Sequence, residues 1–148
     1  MPASPLPRTL TLLGIAGWAP QILCLVVAQG FASYHSAALG AGCLYAAIIL
    51  SFLGGLWWMS GLQAGAGKAW ILGIAVVPSL FAWAALLPVA VGGNWPGPSA
   101  VALGLGLLAS PLADRAISRQ VPVPPGWLRL RTTLSTGLGL LTLAIAAS

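Results

Sequence analysis

Apolar residues along this chain come in long continuous runs, without the alternation that marks a half-buried strand or the 3.6-residue stripe of a surface helix. Between Arg8 and Lys68 no residue carries a formal charge, and within that interval Ala37 to Met59 is long enough to cross a hydrocarbon core of about 30 Å as one helix. The runs predict five helices, at about 9–28, 37–59, 69–91, 99–113 and 131–147, in a single integral membrane domain, 1–148. The expected fold class is all-α, a polytopic membrane helix bundle. The fourth helix is short, so little tilt or partial shielding by its neighbours is expected.

The second helix carries the most informative pattern. Within and just before the string AIILSFLGGLWW (47–58), Cys43, Ala47, Ser51 and Gly55 recur every four residues, with Gly54 alongside. A face with so little side-chain bulk is what close helix packing in lipid requires, and these residues are the predicted helix-packing face. Two other helices carry prolines at membrane depth. Pro20 and Pro78 are predicted kink sites, each removing a backbone hydrogen bond, to the carbonyls of Ala16 and Ile74. Exposed carbonyls of this kind coordinate ions in transporters, which gives a transport reading along a path past Pro20, Gln21, Pro78 and Ser79. With no carboxylate inside a span, rescue of the kinks by neighbouring groups is the favoured reading.

The polar positions set the topology. The six cations lie in the N-terminal tail, the second loop and the fourth loop, while the first loop, the third loop and the C-terminus hold none. This predicts the N-terminus inside and the C-terminus outside. Trp57, Trp58, Trp70 and Trp127 fall at the inner boundary, and Trp95 and Tyr34 at the outer one. A cleavable signal is the competing reading of 9–28, with Val26 and Ala28 as small residues before a cut; a full span's length and Pro20 argue against it. LGIA occurs at 13–16 and at 72–75, and SAALGAG from Ser36 resembles SAVALGLG from Ser99, so two similarly oriented hairpins are an open reading in a chain where Ala, Gly and Leu make chance matches easy.

Composition sharpens this picture by exclusion. With 59% apolar and 5% charged residues and a mean hydropathy of +0.98, the chain lies outside the range of soluble domains. A net charge of +5 does not imply nucleic acid, because every cation flanks an apolar run. Cys24 and Cys43 lack metal-type spacing and read as small packing residues; a disulfide between them stays open, since a hairpin would set both sulfurs at similar depth. Catalysis or metal binding needs clustered ionisable groups, and one Asp and one His, His35 and Asp114 at opposite boundaries, do not make one. No catalytic residue, metal site or cofactor is predicted, and an enzyme is not expected.

Two roles remain for charge. Asp114, the single acidic residue, is predicted to pair with Arg129 or Arg131, clamping the fourth helix to the fifth and folding the proline-rich loop back onto the membrane surface. Arg115, Arg119, Arg129 and Arg131 are candidate contacts for anionic lipid headgroups.

AIILSFLGGLWW, VPSLFAWAALL from Val77, LADR from Leu112 and PGWLRLRTTL from Pro125 occur in an order and spacing that resemble the domain-of-unknown-function 3429 family, which includes transmembrane protein 69-like members. The resemblance runs from about Leu12 to Leu143. It implies a five-helix bacterial inner-membrane protein with no assigned activity. It also implies a histidine or other polar residue directly after Gly54, Gly55 and Leu56, where this chain has Trp57, so any role of that polar side chain is not expected of Trp57. The functional expectation is a small non-enzymatic inner-membrane protein, an accessory, assembly or structural subunit of a larger complex, with membrane lipids and other membrane subunits as partners. The alternative is a small transporter or channel.

Overall fold

The structure, a computed structural model, describes residues 6–65, 68–92 and 96–148. Trp95 of the expected outer belt and the tail 1–5 lie outside the described residues. All the regular structure described is helical: α1 (Arg8–Ala16), α2 (Ala19–Gly30), α3 (His35–Ala64), α4 (Ala69–Ala90), α5 (Gly97–Ser118) and α6 (Trp127–Ala146), with a 3-10 turn at Ala32–Tyr34 before α3. Four segments are long and apolar enough to cross a membrane: Arg8–Gly30, Ala32–Ala64, Ala69–Ala90 and Gly97–Ser118. The protein is therefore a multi-pass helical membrane protein in its architecture. α6 has the length of a span, but Arg129 and Arg131 in its first two turns lower its apolarity.

The 30-residue α3 is the centre of the bundle, packing on α2, α4, α5 and α6. Its buried positions include Leu39, Gly42, Cys43, Ala46, Ala47, Leu50, Leu53, Gly54 and Trp57. This set advances by three or four residues and stays on one side of the helix. The predicted face does not. Each step of four residues turns an α-helix about 40° past a full rotation, so three steps from Cys43 carry the stripe about 120° round the axis. Cys43 and Ala47 are buried, Ser51 is half-exposed, and Gly55 points outward with nothing within 4 Å of where its Cβ would be. Gly54 occupies the place expected of Gly55. A Cβ there would strike the backbone carbonyl of Ala75 on α4, so this glycine sets how closely α3 and α4 approach, just ahead of Pro78.

The first span is interrupted at Gly17 and Trp18, just ahead of Pro20, the expected kink site. α1 ends at Ala16, and Gly17 and Trp18 close the turn through bonds from the Trp18 amide to the Ile15 carbonyl (2.9 Å) and from the Gly17 amide to the Gly14 carbonyl (3.1 Å). Pro20 sits in the first turn of α2 and has no N–H to bond the carbonyl of Ala16, the last residue of α1. The break is held sideways. Trp18 lays its indole over Gly137 of α6, where any Cβ would collide with the ring, and donates from Nε1 to the Leu134 carbonyl at 3.1 Å. The Gly17 carbonyl accepts the Tyr45 hydroxyl of α3 at 2.5 Å. Pro78 does lie inside a helix, α4, as expected.

α5 runs on to Ser118, beyond the expected end near Ala113, and passes through Pro111 without stopping. Proline at 111 frees the carbonyl four residues earlier, Leu107, and the hydroxyl of Ser110 donates to that carbonyl at 2.8 Å. α6 begins at Trp127 and not at Arg131, because Gly126 adopts φ +84° and turns the chain directly into the helix. α5 and α6 then pack along their whole length. Gly104 and Gly139 meet backbone to backbone, each Cβ position lying 3.1 Å from the other's carbonyl oxygen.

Candidate functional site

The antiparallel register of α5 and α6 brings polar residues together in steps. Asp114 meets Arg131, and one turn deeper Ser110 meets Ser135, with their Oγ atoms 3.0 Å apart. The Ser110 proton is directed to Leu107, so the Ser135 hydroxyl donates to Ser110. Towards the far end of α6, the Gln21 amide of α2 donates from Nε2 to Thr142 Oγ1 at 3.1 Å, while Thr142 donates to the Leu138 carbonyl at 2.8 Å. Each of these side chains is buried and bonds a neighbouring helix, although Gln21 does so through Nε2 alone and its Oε1 has no partner.

The charged step is the most elaborate. Arg131 Nη2 lies 2.9 Å from Asp114 Oδ2 and directs its hydrogen bond to Oδ1 at 3.3 Å. A third element joins them: Trp57 of α3 donates from Nε1 to the same Oδ1 at 2.8 Å. Trp57, Asp114 and Arg131 are 6%, 8% and 6% exposed. Two hydrogen-bonding atoms of the cluster, Asp114 Oδ2 and Arg131 Nε, have no directed hydrogen-bond partner of their own. A carboxylate thus ties α3, α5 and α6 at one level, and its charge is neutralised in place.

Arg129, the other candidate for the pair, is exposed and turned away from Asp114. Arg131 in turn is withdrawn from the set of headgroup contacts, because its guanidinium is buried against the carboxylate. Of the remaining candidates, Arg115 and Arg129 share a groove, and Arg119, exposed one turn beyond Arg115, does not line it. The sequence pattern places Trp57 in the boundary belt. Its indole N–H instead supplies a polar function from within the bundle, a possibility visible in the residue's amphipathic chemistry but not in its position.

Two cavities meet at Trp57. On the side where the helices enter the bundle, a vestibule of about 440 Å³ is lined by Trp57, Asp114 and Arg131 together with Leu6, Pro7 and Leu10 of the N-terminal segment and Pro122, Val123, Pro124 and Trp127 of the proline-rich loop. The loop therefore does fold back over the charged cluster. It is also tied sideways, by a bond from Lys68 Nζ to Gln120 Oε1. On the other side lies a lateral groove of about 680 Å³ between α3, α4 and α5, lined by Leu50, Trp57, Ile74, Val77, Pro78, Phe81, Ala102, Leu105, Gly106, Ala109, Ser110 and Ala113. Its α5 wall is small-sided: Ala102, Gly106, Ala109 and Ala113 advance by four, three and four residues and keep to one face of the helix.

The four strings that carry the family resemblance all reach this place. Trp57 is the last residue but one of AIILSFLGGLWW, Pro78 stands in VPSLFAWAALL, Asp114 in LADR and Arg131 in PGWLRLRTTL. The family described as Protein of unknown function (DUF3429) matches residues 6–147, nearly the whole chain. The chain belongs to the DUF3429 family. No curated protein and no solved structure matches it. In this member of DUF3429, the position after Gly54, Gly55 and Leu56 holds a tryptophan that is a hydrogen-bond donor to the chain's one carboxylate.

Other predicted features are scattered. Gln21 is sealed against Thr142, Pro78 faces α3, and Pro20 and Ser79 are on the outside of the bundle, so these four residues do not line one path. Cys24 and Cys43 are both free thiols. His35 opens α3 and its Nδ1 bonds the Ala28 carbonyl at 2.9 Å, about 33 Å of helix from Trp57 and its carboxylate partner.

Proposed function

We propose that this DUF3429 protein is a non-enzymatic membrane protein that serves as an accessory or assembly subunit of a larger complex in the bacterial inner membrane, and that it receives a partner's transmembrane helix in the lateral groove. The observation that carries this reading is the small-sided wall of α5. Ala102, Gly106, Ala109 and Ala113 form the kind of stripe that lets helix backbones approach closely in lipid; they line a groove of about 680 Å³ whose floor is reached where Gly106 meets Phe81 and Leu50, and Ala102 and Ala109 are left open to it. An apolar groove in lipid gains little from the hydrophobic effect when it is filled, so shape and close packing would set its partner. The wired end of the groove, at Trp57, would fix the geometry that the partner meets.

The same proposal includes five crossings, with the N-terminus inside and the C-terminus outside. α6 is 20 residues long and pairs with α5 throughout, Arg131 is neutralised by Asp114, and Arg129 stands at the boundary. All six cations then lie on one side.

A photo-crosslinking residue placed at Ala109 tests the groove, with Leu140, exposed on α6 and outside the groove, as control. We expect covalent adducts to a membrane protein from Ala109 in native membranes and none from Leu140, together with co-migration of the protein in a larger species in mild detergent. Recovery solely as a free monomer, with no adduct from Ala109, would overturn the subunit reading.

A further inference from the structure

The register that pairs Asp114 with Arg131 inside the bundle brings Arg115 of α5 level with Arg129 of α6 on another face. The two arginines line one groove of about 260 Å³ with Leu128, Thr132 and Thr133. The α6 residues 128, 129, 132 and 133 are neighbours on consecutive turns, so the groove is a continuous wall and not a chance meeting of side chains. Like charges facing one another at the edge of a low-dielectric slab repel, and a protein ordinarily relieves this with a carboxylate. This chain cannot do so. Its single acidic residue is Asp114, which is buried and already bound to Arg131 and Trp57. No acidic side chain among these 148 residues is free to supply the counter-charge, which leaves the groove open to an anion from outside.

We propose that Arg115 and Arg129 hold the phosphate of an anionic phospholipid headgroup, with the Thr132 and Thr133 hydroxyls as further donors. Guanidinium groups match phosphate oxygens in fork geometry, and two of them from different helices can hold one phosphodiester from two sides. A free phosphate would satisfy the same donors. The lipid is favoured because the groove lies where α5 leaves and α6 enters the apolar part of the bundle, and Leu128 gives it an apolar lip beside the charges. This inference does not depend on the subunit reading: it concerns a different face, and it stands or falls with or without a protein partner.

Native mass spectrometry of the full chain, released from nanodiscs of phosphatidylcholine with a minor share of phosphatidylglycerol, is the test. The expected result is retention of phosphatidylglycerol by the unmodified protein in preference to phosphatidylcholine, a loss of that retention of about tenfold or more in R115Q/R129Q, and no loss in R119Q, which removes an exposed arginine outside the groove. Should the double variant fail to fold, R115Q and R129Q taken singly are each expected to lose retention several-fold. Unchanged retention in the groove variants would overturn the proposal. So would an equal loss in R119Q, which would show diffuse surface charge, or displacement of the lipid by an equal concentration of inorganic phosphate, which would assign the groove to a soluble anion.

Discussion

Asp114 has two neighbours of different kinds, and they separate two contributions to stability. Arg131 neutralises its charge; Trp57 satisfies one of its oxygens. Replacing Asp114 by Asn keeps the shape but leaves the Arg131 guanidinium buried without a counter-charge, for which the expected cost is about 3 kcal/mol, the lower end of the range for broken buried pairs because the vestibule admits water at one edge. Trp57→Phe removes one charge-assisted hydrogen bond and leaves the pair, for an expected loss of roughly 1.5–2 kcal/mol. Thermal unfolding in detergent should therefore rank Asp114→Asn below Trp57→Phe, and both below the unmodified protein. The reverse order would mean that packing around the indole, not the carboxylate, holds this end of the bundle. The partnership of Asp114 with an arginine at the start of the last helix was legible in the sequence, since one carboxylate and two nearby cations left few choices. Trp57 was not, because a tryptophan at a membrane boundary has a sufficient explanation without any partner.

At the scale of the helix, the difference between a four-residue repeat and a 3.6-residue turn decides which glycine matters. Gly54 abuts the Ala75 carbonyl, and Gly55 faces open space one residue later. Gly54→Leu must push α3 and α4 apart, an overpacking cost of about 2 kcal/mol or more. Gly55→Leu adds a lipid-facing side chain to a helix that gains propensity by losing glycine, so near-neutral stability is expected. Equal loss in both variants, measured as thermal midpoints in the same detergent, would contradict the packing of α3 against α4. The lengths and order of the helices could be read from apolar runs, but several of their ends could not. The interruption near Pro20 was legible, whereas its bracing was not: Trp18 on Gly137 and Leu134, and the Gly17 carbonyl on Tyr45, join distant parts of the chain that a local pattern does not encode. Ser110 preserves α5 across Pro111 by a bond to the freed carbonyl, a signal that was local and available.

For the molecule as a whole, the open question is the number of crossings, and the chain offers a direct way to count them. The four segments apolar enough to span return the chain, after α5, to the side on which it began. Residues of the following loop, such as Gln120, therefore share a side with the N-terminus whether or not α6 crosses. Ser148 does not have that freedom. If α6 spans, Ser148 lies with Gly92 on the opposite side; if α6 lies along the surface, Ser148 lies with Gln120. The free thiols Cys24 and Cys43 are within the helices, half-buried and buried, so a membrane-impermeant maleimide should report chiefly on cysteines introduced at the three ends. With the pairing of α5 and α6 along their length, and with Arg131 neutralised, a crossing is the arrangement that keeps the apolar residues after Thr136 out of water. We expect Gly92→Cys and Ser148→Cys to react from the outer side in intact cells, and Gln120→Cys to react only once the inner side is opened. Labelling of Ser148→Cys together with Gln120→Cys would reduce the bundle to four spans and turn α6 into a surface helix, whereas exchange of the two sides for all three positions would keep five spans and invert the orientation that the cations indicate.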